Sequence, residues 1–381
     1  MSGDDDLAAP EQESVACVVM RGGTSKALFF HERDVPPAGP ARDAMLKRAI
    51  GTPDPLQIDG LGGARLVTSK LAIVAASARA DADVDYTFAQ ADIERDLIGY
   101  TGNCGNIAAA VGPFAIDEGL VAAVEPVTTV RIFNTNTATR VVAQVHVVGG
   151  KARVAGDCRI DGVPGTGAEI RMDYSDAVGA ASGQLLPTGH AIDTLVLDDG
   201  RGVEVSICDV ANVCVFIAAP DVGLGGRESP DEISANAVAI CLIGEIQSRA
   251  GQLIGLWPDW RAQSRPGLPL AVLVAPGTSP DADVQCRLVF LGRCHDSMAG
   301  TASVCTAAAS RIAGTLVRRA IETSALQRPS LRLGHPLGLM EVRVEADAPA
   351  LARDTRFGAL SLSRTARRLM EGRVLLPDSP H

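Results

Sequence analysis

The sequence predicts a mixed α/β protein of two similar halves, each a sheet wrapped round a buried helix. Three observations lead there. The chain has 381 residues and is 46% hydrophobic, beyond the size at which a single core stops growing, so two domains are expected. Two runs, Ile107 to Gly112 and Val304 to Ile312, are rich in alanine and almost without a polar face, which marks helices that belong inside a fold. A weak repeat links them: Asp83-Val84 opens a strand that reaches Gly102 after 19 residues, and Asp283-Val284 opens one that reaches Gly300 after 17. Halves related in this way would point both helix N-termini, the positive ends of their dipoles, into one cleft.

Element by element, residues 1–14 are acidic around Asp4-Asp5-Asp6 and read as a solvated, disordered leader. Cys17 to Met20, the tight Arg21-Gly22-Gly23-Thr24-Ser25-Lys26 segment and Ala27 to Phe30 read as strand, glycine turn, strand. From Asp34 to Gly51 a loop leads into an amphipathic helix, with Met45, Leu46, Ala49 and Ile50 at helical spacing and Pro53 and Pro55 stopping it. Gly60-Leu61-Gly62-Gly63 is a second glycine turn, which leads through Thr68-Ser69-Lys70 into the β-rich run Leu71 to Val74. Asp83 to Ala89 alternates as a half-exposed strand does, and Gly102-Asn103-Cys104-Gly105-Asn106 opens the first buried helix. In the second half a strand runs to Leu291, followed by His295, Met298, Gly300 and Thr301 before the second buried helix. Turn-rich stretches at Asp161 to Gly167 and Leu186 to His190 place a domain boundary near residue 185, giving domains 15–185 and 186–359. The last segment, 360–376, contains an amphipathic turn over Ala366 to Met370 and is expected to return to the first domain.

A net charge of −10, with no Lys/Arg cluster carrying interleaved aromatics, excludes broad nucleic-acid binding. An anionic substrate would therefore need positive potential supplied locally, by backbone amides and a few arginines. No stretch approaches the roughly 20 apolar residues of a membrane span, and the acidic start lacks the basic-then-apolar pattern of a secretory signal. A cytoplasmic location away from membranes is expected. The nine cysteines are scattered without a Cys-x-x-Cys pair, which argues against a disulfide framework. Most, such as Cys17 and Cys214, lie in apolar runs as small buried hydrophobes. The six histidines show no metal-ligand spacing, and both nucleotide-binding glycine loops are missing, so neither metal nor cofactor is expected.

Lysine is scarce, 4 against 31 arginines, yet two of the four sit in Thr24-Ser25-Lys26 and Thr68-Ser69-Lys70. Arginine replaces lysine on a solvated surface at little cost but cannot give up its proton, so a lysine that serves as a base must stay lysine. Lys70 and Lys26 are candidates on that ground; the competing reading makes them strand-end residues left by a bias toward arginine. Gly102 to Asn106 at a helix start offers free amides, a positive dipole end and, in Cys104, a thiol whose pKa that dipole should lower. The competing reading is a glycine-asparagine turn with a buried cysteine. Gly23, Thr24 and Ser25 could form a nest of amides and hydroxyls that holds a carboxylate. Ser69, Asn103, Gly105 and Asn106 complete the first candidate binding set, and His295, Met298, Gly300 and Thr301 the second. His335, in Gly334-His335-Pro336, reads as a structural turn histidine, with a ligand-facing one as the competing reading.

Taken together, Met20 to Lys26, Ile58-Asp59-Gly60 with Gly62-Gly63, Thr68-Ser69-Lys70, Asp83 to Tyr86, Gly102 to Asn106 and Gly334-His335-Pro336 resemble the 2-methylaconitate cis-trans isomerase (PrpF) family, in order and over nearly the whole chain. Its relatives include 4-oxalomesaconate tautomerase and methylitaconate isomerase, and the family is similar to the diaminopimelate epimerase fold. That resemblance implies two halves, each a curled mixed β-sheet around a central helix, with the active site in the cleft between them. It also implies cofactor-free, metal-free proton transfer beside a carboxylate-bearing double bond of a small di- or tricarboxylate. Lys70 matches the family's usual base; Cys104 occupies the position of the epimerase's catalytic cysteine and either assists or only binds. Two departures lie in the second half, where the family often has an Asn and a Gly-x-Pro against Asp209 to Val213 here, and a serine against Leu337.

Three functions are carried forward. The first is an allylic isomerase with Lys70 as base. The second, a two-cysteine racemase or epimerase, requires a second thiol at the other helix start, where the sequence reads Gly300-Thr301-Ala302. The third is a carboxylate-binding accessory protein acting beside an aconitase-like dehydratase. Candidate partners are the small acid itself, that dehydratase and a second copy of the chain in a homodimer.

Overall fold

The computed structural model describes residues 11–277, 281–348 and 352–377. Its first elements are β1 (Gln12–Gly22), β2 (Ser25–His31), α1 (Pro40–Ile50), β3 (Lys70–Ala76), β4 (Val84–Ala91), β5 (Ile98–Gly99), α2 (Gly105–Asp117), β6 (Val127–Asn134), β7 (Thr139–Val148), β8 (Lys151–Ala152) and β9 (Ile170–Asp173). The chain continues through β10 (Asp193–Val196), β11 (Gly202–Val210), β12 (Asn212–Ala218), α3 (Pro230–Ala235), α4 (Ala237–Leu253), β13 (Leu270–Pro276), β14 (Val284–Phe290), β15 (Arg293–Cys294), α5 (Gly300–Ser310), α6 (Leu316–Arg319), β16 (Ser330–His335), β17 (Gly338–Ala346), β18 (Phe357–Arg364) and β19 (Ala366–Pro377).

The pairing pattern occurs twice. β1 pairs antiparallel with β2, β2 parallel with β3, β3 antiparallel with β4, β4 parallel with β6, and β6, β7 and β9 follow antiparallel. From β11 the same series runs through β12, β13, β14, β16, β17 and β18, with the same senses. The weak sequence repeat is thus a repeat of topology. β9 and β18, the last strand of each series, pair with one another and join the two sheets.

Each sheet curls round one apolar helix. All of α2 except Asp117 is buried, and so is all of α5. Both pack in one continuous core with Phe29, Ala72, Val130, Val272, Leu288 and Val342. Three hydroxyls of α5 are satisfied by nearby backbone: Ser303, Thr306 and Ser310 donate to the carbonyls of Ala299, Ala302 and Ala307 at 3.0, 2.7 and 2.6 Å. The opposite sheet faces are covered by α1 in one series and by α4 in the other, each over its own apolar cluster.

Two sequence expectations change. Strand β1 begins at Gln12, so three residues assigned to the leader are ordered against Leu375, Leu376 and Pro377; residues 1–10 lie outside the described residues. Ala366 to Met370 is not a turn but the start of β19, a largely exposed strand. β19 pairs with β1 along its length, as the expected return to the first series requires, while 360–364 stays in β18 beside β17. No described helix is long and apolar enough to cross a membrane.

Candidate active site

The two buried helices meet at their N-termini, and glycine makes the meeting possible. A Cβ on Gly105 would lie 2.8 Å from the Thr301 amide and 2.9 Å from the Tyr174 hydroxyl, closer than real contacts allow. One on Gly300 would lie 3.2 Å from the Gly105 carbonyl carbon. Cys104 and Ala299 are the N-cap residues, and neither helix has a capping side chain, so the first-turn amides of both remain open to another acceptor.

Asn212 ties the two openings together. Its Oδ1 accepts from the Asn103 amide at 2.8 Å, and its Nδ2 donates to the Asn103 carbonyl at 2.7 Å and to Thr301 Oγ1 at 2.9 Å. A second tie runs from Asn106 Nδ2 to Thr24 Oγ1 at 3.1 Å and on to Ser297 Oγ at 2.8 Å. Gly23 lets the β1–β2 turn reach this place: its φ is +49°, and a Cβ there would sit 2.3 Å from Asn106 Oδ1.

Lys70, the first residue of β3, faces the same side of the sheet as Ala72 and Val74, toward α2. It is 4% exposed and lines a small cavity with Cys104, Asn103, Asn212, His295 and Ala299. Its Nζ donates to Gln90 Oε1 at 2.5 Å and lies 5.2 Å from the centre of the Phe88 ring. The Gln90 amide is fixed in that sense because its Nε2 donates to the carbonyls of Ser69 and Ala91 at 2.9 and 3.1 Å. Gln90 is neutral, so nothing at this bond compensates a charge on the amine. Burial lowers the Lys70 pKa, and a charged Cys104 would draw it back up. His295, 3% exposed, accepts the Ser297 amide on Nδ1 at 3.1 Å, which leaves Nε2 to carry the proton. Burial, followed by repulsion from Lys70, brings its pKa down to about 3, so it is a neutral hydrogen-bond donor at ordinary pH.

Around these groups lie buried polar atoms without a partner: Ser25 Oγ, both polar atoms of the Asn103 side chain, and the hydroxyls of Tyr86 and Tyr174. Such orphans are costly unless a ligand completes them. The cavity has a volume of about 30 Å³, room for one water. A polycarboxylate enters only if its walls part.

The repeat explains why the cavity is one-sided. Strand register places Leu270 where Lys70 stands, since β13 begins beside β12 as β3 begins beside β2. By the same register Phe290 replaces Gln90. The cap positions give Ala299 for Cys104, which corrects the expectation that Gly300-Thr301-Ala302 marks that place. All three apolar replacements line the cavity opposite the polar set.

Of the expected site residues, the structure gathers Lys70, Cys104, Asn103, Gly105, Gly300, Thr301 and His295 here, with Gly23, Thr24, Ser25 and Asn106 at its edge. Others go elsewhere. Lys26 alternates away from Ser25 and shares its sheet face with Leu28 and Phe30, under α1 rather than α2. Ser69 gives its hydroxyl to Gln57 Oε1 at 2.8 Å and the Arg65 carbonyl at 2.9 Å, a loop brace. Met298 is fully buried in the shared core. Sequence reasoning missed Gln90, whose signal was the strand alternation carried two residues further, and Asn212, noted only as part of a family departure. Arg364 was missed without any signal. No cluster of three or more His, Cys, Asp or Glu side chains that could hold a metal occurs among the described residues.

Comparison with known proteins identifies the family and the fold. The family model described as "PrpF protein" matches residues 12–377. The chain belongs to the PrpF family. Within the family it is 44% identical to the 3-methylitaconate isomerase of Eubacterium barkeri, over 96% of this chain and 97% of that one. It is 39% identical to the 4-oxalomesaconate tautomerase of Pseudomonas putida, over 96% and 97%. The crystal structure of a methylitaconate-delta-isomerase superposes with a TM-score of 0.75 at 43% identity, covering 97% of both chains. A hydroxyproline epimerase from Agrobacterium vitis, 12% identical, superposes at 0.58 over 96% of this chain and 93% of that one. The fold is therefore the epimerase-like one of two similar halves.

Proposed function

We propose that this PrpF family member is an isomerase of small unsaturated di- or tricarboxylates, moving a double bond by proton transfer without a cofactor, with Lys70 as the base. The observation that carries it is a buried amine with no carboxylate partner among the described residues, held by a neutral amide beside Cys104 and His295 where two helix openings meet. Neutral Lys70 takes the proton from the carbon between double bond and carboxylate. The charge passes into a dienolate, which the first-turn amides of α2 and α5 and the Nε2–H of His295 are suited to stabilise, each donor contributing about 3 kcal/mol. Protonated Lys70 then returns a proton at the far end of the allyl unit. Cys104 stands close enough to assist or to hold a carboxylate.

With Leu270 and Ala299 in the corresponding places, the second series offers neither amine nor thiol, which disfavours the two-base racemase. The names of its relatives support acids of the methylitaconate and oxalomesaconate kind, and the apolar wall of Leu270 and Phe290 suits a methyl substituent better than a keto acid. The chain division near residue 185, activity in the cytoplasm and action beside a dehydratase belong to the same reading. The test is incubation in D2O with 2-methylaconitate, trans-aconitate, methylitaconate and oxalomesaconate. Isomerisation with deuterium uptake for at least one acid is expected; binding by calorimetry without turnover or exchange for any would select the accessory protein instead.

A further inference from the structure

A second pocket lies on the other side of the Thr24 tie. It measures about 440 Å³, and neither Lys70 nor Cys104 lines it. It is formed on the outer face of the strands that join the two sheets. There Arg171 of β9 alternates with core residues Ile170 and Met172, and Arg343 of β17 with Val342 and Val344. Arg159, Arg332 and Arg364 complete a set of five arginines, against the carboxylates of Asp161 and Glu341. In a chain of net charge −10 this is a local reversal of sign.

Compensation of these cations is uneven: Arg332 pairs with Asp283 at 3.4 Å and Arg343 with Glu345 at 2.6 Å. Arg364 is 3% exposed and has no carboxylate partner among the described residues; it donates to Asn106 Oδ1 at 3.2 Å and to the Ser363 carbonyl at 2.9 Å. Arg171 has Glu169 only at 3.9 Å and is half-exposed. Asp161 has Oδ2 turned to the Leu339 amide at 2.8 Å. His335, 5% exposed, accepts the Leu337 amide on Nδ1 at 3.2 Å, and its Nε2 is a buried polar atom without a partner. A buried donor left open near the Arg364 guanidinium, which has no carboxylate partner among the described residues, is what a bound oxyanion would complete.

We propose that this arginine-lined pocket is a second binding site, separate from the catalytic cleft, for a small polyanion carrying two or more carboxylate or phosphate groups. It does not depend on the isomerase reading. Thr24 forms part of its wall and also bonds Ser297 and Asn106, so occupancy is felt at the helix openings. The test is calorimetry on the full chain with citrate and with pyrophosphate, for wild type, Lys70→Ala and the surface double variant Arg171→Ser/Arg343→Ser. Binding that survives Lys70→Ala and weakens at least tenfold in the double variant, while deuterium exchange into the active acid is unchanged, is the expected result. The tighter of the two ligands names the carboxylate or phosphate source. A double variant that binds both as wild type does, or a wild type that binds neither, overturns the proposal. As a readout independent of folding, the His335 Nε2 resonance should shift with ligand; an unmoved resonance at saturation also overturns it.

Discussion

Acidification from pH 7 to 5 should destabilise this fold through two buried histidines. Burial brings His295 down to about 3, with Lys70 adding repulsion, and brings His335 down to about 4, with Arg364 adding repulsion. An unfolded histidine titrates near 6.5, so between that pH and the folded value the unfolded chain holds the proton and the native chain does not. Stability then rises with pH across this window and falls on acidification. At 1.36 kcal/mol per unit, the 1.5 units from 6.5 to 5 cost each histidine about 2 kcal/mol, and the pair about 4 kcal/mol. The penalty keeps growing to about pH 4 for His335 and about pH 3 for His295.

Among the carboxyls, some fall outside this window and others act against it. The carboxyls of Asp83 and Glu94 are held low chiefly by hydrogen bonds from Arg131 and from Arg265 and Arg293, so they lose their contribution only at lower pH. Asp209 and Asp296 are raised by burial and bind protons preferentially in the native state, which offsets part of the loss. The decisive quantity is therefore a difference. Urea unfolding at pH 7, 6 and 5 should show the wild-type slope reduced by about half in His295→Gln and again in His335→Asn. Variants that parallel wild type over this range, or an NMR titration that puts either imidazole near 6.5, would refute the reasoning.

Four further outcomes follow from the site. Lys70→Ala should reduce solvent exchange by about 10²–10⁴-fold while acid binding stays measurable, and Lys70→Arg should do the same, since a guanidinium cannot act as the base. The exchange rate should rise with pH through a midpoint below the ordinary lysine value near 10.4, because burial favours the neutral amine; a midpoint at or above it, read from initial rates, would contradict Lys70 as base. Gly105→Ala should force the helix openings apart against the Thr301 amide, costing about 1–3 kcal/mol in urea unfolding and most of the activity. Asn212→Ala strands the Asn103 amide and carbonyl and should cost about 1–3 kcal/mol, with a raised KM if the ties position the amides.

The fold was legible where the sequence carried periodicity. Both buried helices declared themselves because neither has a polar face, and the repeat was visible at its strand starts, although it matched Gly300 with Gly102 where the structure matches it with Gly105. β19 was misread because Ala366-Arg367-Arg368-Leu369-Met370 mixes apolar and charged residues at a spacing that suits a helical turn, and only pairing with β1 settles its shape. The site was legible by chemistry, through scarce lysine and a glycine-flanked cysteine. Which of two identical Thr-Ser-Lys tripeptides faces the cleft was not, because it depends on strand phase: β2 begins at Ser25 and sends Lys26 under α1, whereas β3 begins at Lys70 and sends it toward α2. Arg364 gave no signal because its burial is created by β17 and Asn106, far away in the chain.

That phase difference also bears on how one duplicated topology yields a one-sided site. The register aligns Lys70 with Leu270 and Gln90 with Phe290, and all four line the one cavity. If both halves had kept the polar pair, two amines would face one another across about 30 Å³, and mutual repulsion in a dry cavity would have to be met by a counter-charge. Replacing one set by leucine and phenylalanine removes that repulsion and dries the surroundings of the remaining amine, the condition that keeps it unprotonated. On the proposed role of Lys70, the apolar half of the cavity acts on the amine as well as on the guest. Restoring polarity there, as in Phe290→Gln, should raise the Lys70 pKa and move the alkaline limb of the exchange profile to higher pH.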